Sequence, residues 1–132
     1  MTLVDTNVLL DLVTDDPAWA DWSVTQLETA SLSGPLLIND VVYAELSVRY
    51  ERIENLDAFV AQSEIEIAPI PRAALFLAGK VFTRYRHAGG RRTGVLPDFF
   101  IGAHAAVAGL PLLTRDEGRY RSYFPSLKLI VP

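Results

Sequence analysis

Short apolar runs, each too brief for a core helix, recur along the chain at Thr2-Leu3-Val4, Leu36-Leu37-Ile38, 65–68, 110–113 and 127–131. Runs of this kind fit strands buried on both faces, because they are mostly apolar, with Glu66 and Lys128 their only charged residues. Helical stretches separate them. Thr6–Val13 comes first; a second helix has Asp16 as its cap, Pro17 at its first position and Gly34-Pro35 beyond its end. Another runs from the Asn39-Asp40 cap through Arg49, and a fourth spans about 55–63. Pro71 opens a long helix to His87, Pro97 opens one over 98–108 that Gly109 stops, and a short one covers Glu117–Tyr123. Strands alternating with helices predict an α/β sandwich, with a central parallel sheet of four or five short strands flanked by helices. At 132 residues with no repeat or linker, the chain forms a single domain, 1–132.

The second helix has an apolar stripe of Ala20, Val24, Leu27 and Ala30 or Ser31. Trp22 lies about 200° from Val24, so it is expected on the outside, where it would mark a partner surface. Trp19, nearer the stripe, is expected in the core.

The chain lacks cysteine, so thiolate metal sites and disulfides are excluded and any metal must be held by oxygen or imidazole. It has no basic-then-apolar leader and no apolar run of membrane length, which predicts a cytoplasmic protein. The net charge of −4 is unevenly spread. Residues 1–79 carry 3 Lys/Arg against 13 Asp/Glu, and residues 80–132 carry 9 against 3. The second part can offer a basic face to a polyanion that the average conceals.

Four acids occupy positions with chemical promise. In an open parallel sheet ligands gather beyond the carboxyl ends of strands. Asp5 directly follows the first run and Asp116 follows the fourth at a short remove, so they share a crevice if the two strands are neighbours. Glu45 shares a helix stripe with Val41 and Val48, although taken alone it is better read as facing solvent. Asp98 opens a helix that is apolar nearly all round. Favourable interaction with the helix dipole and proximity to a cation explain it equally well. Helix capping would explain Asp5 and Asp116 individually. A cluster of four carboxylates cannot stay ionised without a cation, however. Mg²⁺ or Mn²⁺ suits such hard oxygen ligands and supports phosphodiester hydrolysis. Thr6, Asn7 and Thr114 are placed to orient ligands or water.

Val4-Asp5-Thr6-Asn7-Val8, Val42-Tyr43-Ala44-Glu45-Leu46, Pro97-Asp98 before Phe100-Ile101-Gly102-Ala103, and Leu113-Thr114-Arg115-Asp116 resemble the four acidic motifs of PIN domains, in order. The tail through Tyr120, Tyr123-Phe124-Pro125 and 127–132 is similar to the toxin members of bacterial VapBC toxin–antitoxin pairs. The resemblance covers essentially the whole chain. It implies a PIN-like three-layer sandwich and a Mg²⁺- or Mn²⁺-dependent endoribonuclease with Asp5, Glu45, Asp98 and Asp116 as its acids. It further implies Thr114 as an assisting hydroxyl, a homodimer, and a small cognate VapB-type antitoxin. No motif falls between about residues 49 and 94.

Arg84, Arg86, Arg91 and Arg92 surround a Gly-rich loop, 88–94, just before Asp98, and are expected to hold RNA phosphates. Arg115 is grouped with them, and pairing with a site acid is its alternative role. His104 stands about 240° around its helix from Asp98, so a structural histidine is expected rather than a ligand. A phosphorylated receiver domain fits poorly, because no acidic pair follows the first strand. A haloacid-dehalogenase-type phosphatase fits no better, because Asn7 stands where its second Asp is needed. The alternatives carried forward are a PIN-like module that binds RNA or protein without cutting, and a PIN ribonuclease of RNA processing that is not a toxin.

Overall fold

A computed structural model describes residues 1–92 and 94–132; Thr93, within the expected basic loop, lies outside the described residues. The elements run β1 (Thr2–Val4), α1 (Thr6–Val13), α2 (Ala20–Ser31), β2 (Leu36–Ile38), α3 (Asp40–Ser47), α4 (Ile53–Gln62) and β3 (Ile65–Ile67). They continue with α5 (Arg72–His87), α6 (Leu96–Ala108), β4 (Leu112–Leu113), α7 (Glu117–Tyr123) and β5 (Leu129–Ile130). The five strands form one sheet in the order β3-β2-β1-β4-β5, and every pairing is parallel. β1, β2 and β4 are buried along their whole length, as a sheet covered on both faces requires. β3 and β5, on the edges, are more open. The expected sandwich is the fold.

The strand order places the crevice. The chain builds outward from β1 through β2 to β3, then returns to lay β4 on the other side of β1. This reversal lies between β1 and β4, where Leu3 pairs with Leu112 and Val4 with Leu113. The condition on which Asp5 and Asp116 could share a site is therefore met.

Element ends differ from expectation where side chains intervene. Asp16 caps a preliminary turn, accepting from the N–H groups of Ala18 (2.9 Å) and Trp19 (3.0 Å), so α2 proper begins only at Ala20. Its buried side is Ser23, Leu27 and Ala30, whereas Val24 is 38% exposed. Leu27 and Ala30 lie on the expected stripe, Ser23 takes the place of Val24, and Trp22 turns inward to pack half-buried against the core. Trp22 is therefore not the free outer tryptophan expected, and Trp19, edge-on to it at 6.0 Å, is half-exposed.

α6 is the core helix its composition announces: Phe99 and the run from Ile101 to Ala105 are buried. Its Gly102 is required by a close approach, because a Cβ there would stand 2.5 Å from the Phe124 ring. Gly109 ends it in the left-handed conformation, at φ 66°. Phe99 also meets Tyr85 (5.6 Å between ring centroids) and Tyr123 (5.1 Å), which ties the ends of α5 and α7 to the beginning of α6. Among the described residues, no helix is long and apolar enough to cross a membrane.

Candidate active site

Asp5 leaves the end of β1 and caps α1, with Oδ1 accepting from the Thr6 N–H at 2.8 Å. Its Oδ2 accepts from the Thr114 hydroxyl (2.7 Å), the Tyr120 hydroxyl (3.1 Å) and the Asn7 amide (3.3 Å). The side chain is almost wholly enclosed. Burial, reinforced by the charge of Asp98, raises its pKa from 3.8 to about 6 despite these donors.

Thr114 follows β4 and is fully buried. Its one hydroxyl proton goes to Asp5, while its oxygen accepts from the Asp116 N–H (3.0 Å) and the Asn7 amide (3.4 Å). Its hydrogen-bonding capacity is thus spent on orienting Asp5 and the following turn. Asn7 binds that turn from the other side, its carbonyl accepting from the Arg115 N–H at 3.2 Å.

Glu45 does not face solvent. It is half-buried and accepts the Thr6 hydroxyl proton at 2.6 Å, so the first turn of α1 holds two of the acids. Burial raises its pKa, with a further contribution from Asp98. Asp98 stands in the first turn of α6; burial raises its pKa and Asp116 adds to the rise, against the lowering influence of Arg119. Asp116 caps α7. Asp98 is thus the common electrostatic neighbour of the other three acids.

Arg119 donates to Asp98 Oδ2 and lies 3.7 Å from Asp116 Oδ2. Among the described residues, no three His, Asp or Glu side chains are arranged to hold one metal ion together. A cleft of about 330 Å³ lined by Leu27, Pro35, Leu36 and Glu64 opens at the opposite ends of the strands and contains none of the four acids.

Arg115, grouped above with the phosphate-binding arginines, points elsewhere. Its guanidinium makes two 2.8 Å bonds to Asp11, which is 2% exposed, and lies 5.0 Å from the centre of the Trp19 ring. Ser23 adds a 2.7 Å bond to the same carboxylate. Arg84, Arg86, Arg91 and Arg92 are exposed, and among the described residues none is in an ion pair. Tyr85 anchors their loop: its hydroxyl accepts from the Arg92 N–H at 3.1 Å, and Gly90 sits against its ring. Since Tyr85 also contacts Phe99, the arginines flank the beginning of α6 that carries Asp98.

His104 is a core residue. Asn39 caps α3 through its carbonyl (3.0 Å to the Val42 N–H), so its amide faces His104 Nδ1 at 3.2 Å. This links the helices that carry Glu45 and Asp98. Burial lowers the His104 pKa.

Sequence reasoning missed Arg119, the hydroxyl of Tyr120 and Asp11. Arg119 and Tyr120 lie three and four residues after Asp116, on its side of α7, and that spacing was the available signal.

A family model for the PIN domain matches residues 2–124. The chain belongs to the PIN-domain family. Three solved structures have similar chains. VapBC2 from Rickettsia felis, bound to a DNA fragment from the promoter, matches with 20% identity and a TM-score of 0.76, over 99% of this chain and 98% of that one. DNA-bound VapBC from Salmonella typhimurium matches at 19% and 0.71, over 99% and 98%. VapBC-1 from nontypeable Haemophilus influenzae matches at 16% and 0.70, over 98% and 96%. At these identities the likeness establishes a shared PIN fold. No curated protein matches.

Proposed function

We propose that this PIN domain is a divalent-metal-dependent endoribonuclease and the VapC-type toxin of a toxin–antitoxin pair. The observation that carries the reading is the crevice between β1 and β4. There Asp5, Glu45 and Asp98 all have carboxyl pKa values raised by burial and by neighbouring acids. Carboxyls raised in this way are short of positive charge, and an all-oxygen donor set suits Mg²⁺ or Mn²⁺. The donors fit such an ion in chemistry, with Asp5, Glu45, Asp98 and Asp116 as the residues that would hold it. A metal bound there supplies a water of lowered pKa and neutralises charge on the phosphate oxygens.

The chain's own contribution is orientation and attraction. Thr114, Tyr120 and Asn7 fix the Asp5 carboxylate, and Thr6 fixes Glu45. Arg84, Arg86, Arg91 and Arg92 provide the positive charge that draws an RNA backbone towards an otherwise acidic protein. Arg115 is left out of that set because Asp11 engages it. The similarity to chains of VapBC complexes supports a VapB-type antitoxin as partner. A homodimer and a cytoplasmic location belong to the same reading.

RNA cleavage with Mg²⁺ or Mn²⁺, with and without EDTA, for wild type and Asp98→Asn, tests the reading. Cleavage should need metal and Asp98, and should leave 5′-phosphate and 3′-hydroxyl ends. A 2′,3′-cyclic phosphate, or full activity in the variant, would refute the mechanism. Replacing Arg91 and Arg92 by Ala should weaken RNA binding and reduce its salt dependence. The Arg119–Asp98 pair favours a second reading, a PIN-like module that binds RNA or protein without cutting. RNA binding with no cleavage under any metal would select it. Metal-dependent cleavage that no co-expressed small partner suppresses would point to a PIN ribonuclease of RNA processing.

A further inference from the structure

We infer that Arg119 is a resident counter-ion of the acidic crevice, which a divalent metal must displace from Asp98 and Asp116 before it can bind. The inference rests on the metal-site reading above. The α7 helix begins at Asp116, so Arg119, three residues on, rises on the same side, and its backbone N–H bonds Asp116 at 3.5 Å. Its guanidinium then reaches across to α6, donating to Asp98 Oδ2 while remaining 3.7 Å from Asp116 Oδ2. One side chain thus bridges two acids supplied by different helices.

Among the described residues, no other arginine or lysine pairs with Asp98 or Asp116. Of the two arginines that flank it in sequence, Arg115 is held by Asp11 and Arg121 pairs with Glu117 at 2.6 Å. Both Arg119 and Asp98 are mostly shielded, at 27% and 21% side-chain exposure, so their attraction is less diluted by water than that of a surface pair. A guanidinium remains charged at any working pH and has only donors to offer. It therefore occupies Asp98 Oδ2 and places a fixed positive charge between the two acids, and a metal ion entering there meets its repulsion. Metal affinity in this protein is consequently set by an exchange between one internal cation and one external one.

Mn²⁺ binding to the RNA-free protein, followed through the paramagnetic resonance signal of the free ion, tests this without reference to activity. Arg119→Gln should bind Mn²⁺ about five- to tenfold more tightly than wild type, the factor expected for loss of a partly shielded competitor. Arg121→Gln removes the same charge from the same helix without touching the crevice, and should change affinity less than about twofold. Arg119→Lys keeps the charge but loses the fork and should fall between wild type and Arg119→Gln, which gives a second reading should the glutamine variant fold poorly. Unchanged or weaker binding in both Arg119 variants would overturn the inference. So would an equal gain in Arg121→Gln, which would assign the effect to net charge. Asp98→Asn separates the two levels of the argument. Mn²⁺ binding that survives it undiminished would overturn the metal-site reading and the counter-ion with it.

Discussion

The two ends of α1 each carry a buried aspartate, and the two have been treated in opposite ways. At the far end Asp11 meets a bidentate arginine and a serine hydroxyl, and Trp19 closes over the arginine. At the near end Asp5 has neutral donors only, and acidic neighbours. Asp11 is matched by a cation and serves as a rivet, holding the turn after β4 against α1 and α2. Asp5 is well oriented but under-neutralised, which leaves it able to engage something that is not part of the chain. Hydrogen bonds fix where a carboxylate points, whereas the cation beside it decides whether it is at rest.

Isosteric substitutions can break or sharpen this contrast. The largest effect should come from Asp5→Asn on RNA cleavage, a loss of about a thousandfold or more, as expected when a metal-holding carboxylate is removed. Retained cleavage would return Asp5 to a purely capping role. Next in size, Asp11→Asn should lower unfolding free energy by about 3 kcal/mol in chemical denaturation, because it breaks a largely buried pair and leaves Arg115 without its partner. The third effect has the opposite sign. A carboxyl moved from 3.8 to about 6 costs about 3 kcal/mol when ionised at neutral pH. Asp5→Asn in EDTA should therefore raise stability by about 1–2 kcal/mol, since the amide is a poorer acceptor for Thr114. This gain should be complete above pH 6 and shrink as pH falls through 6 towards 4, where the wild-type carboxyl takes up its proton. If Asp5→Asn and Asp11→Asn shifted stability in the same direction, the distinction between rivet and site would fail.

The smallest effect concerns His104, which is buried in its neutral form against Asn39. Its folded pKa lies below the ordinary 6.5, so its contribution is intact above that value and is lost as pH falls through the folded pKa. Between pH 7 and pH 5, His104→Gln should lose less stability than wild type, read by chemical denaturation at the two pH values. An identical pH dependence would mean that His104 takes up its proton without cost.

Much of this was readable from the chain, and the exceptions share a cause. Short apolar runs disclosed the sheet, and acids at the run ends disclosed the crevice, because strand ends dictate where side chains emerge. That β4 lies beside β1 was written in no local pattern; it is a pairing between residues more than a hundred positions apart. The stripe of α2 was misread for a similar reason. Ser23 is buried because its hydroxyl donates a hydrogen bond to Asp11, on another helix, and a periodicity based on hydrophobicity passes over a buried serine. Arg115 and Arg119 stand four residues apart, and no local pattern tells their partners apart. Only the packing of α7 and α1 sends one to a rivet and the other to the crevice.

The pairing of β1 with β4 also sets a timetable. Contacts between distant parts of a chain form after local ones, and a chain emerges from the ribosome N-terminal end first. β1 can meet β2 early, but Asp5 cannot receive the Thr114 proton, nor Asp98 lie near Asp116, until the segment through α7 is free to fold. During synthesis the nascent chain therefore carries Asp5, Glu45 and Asp98 as separate residues, and the crevice closes only when almost all of the chain has emerged.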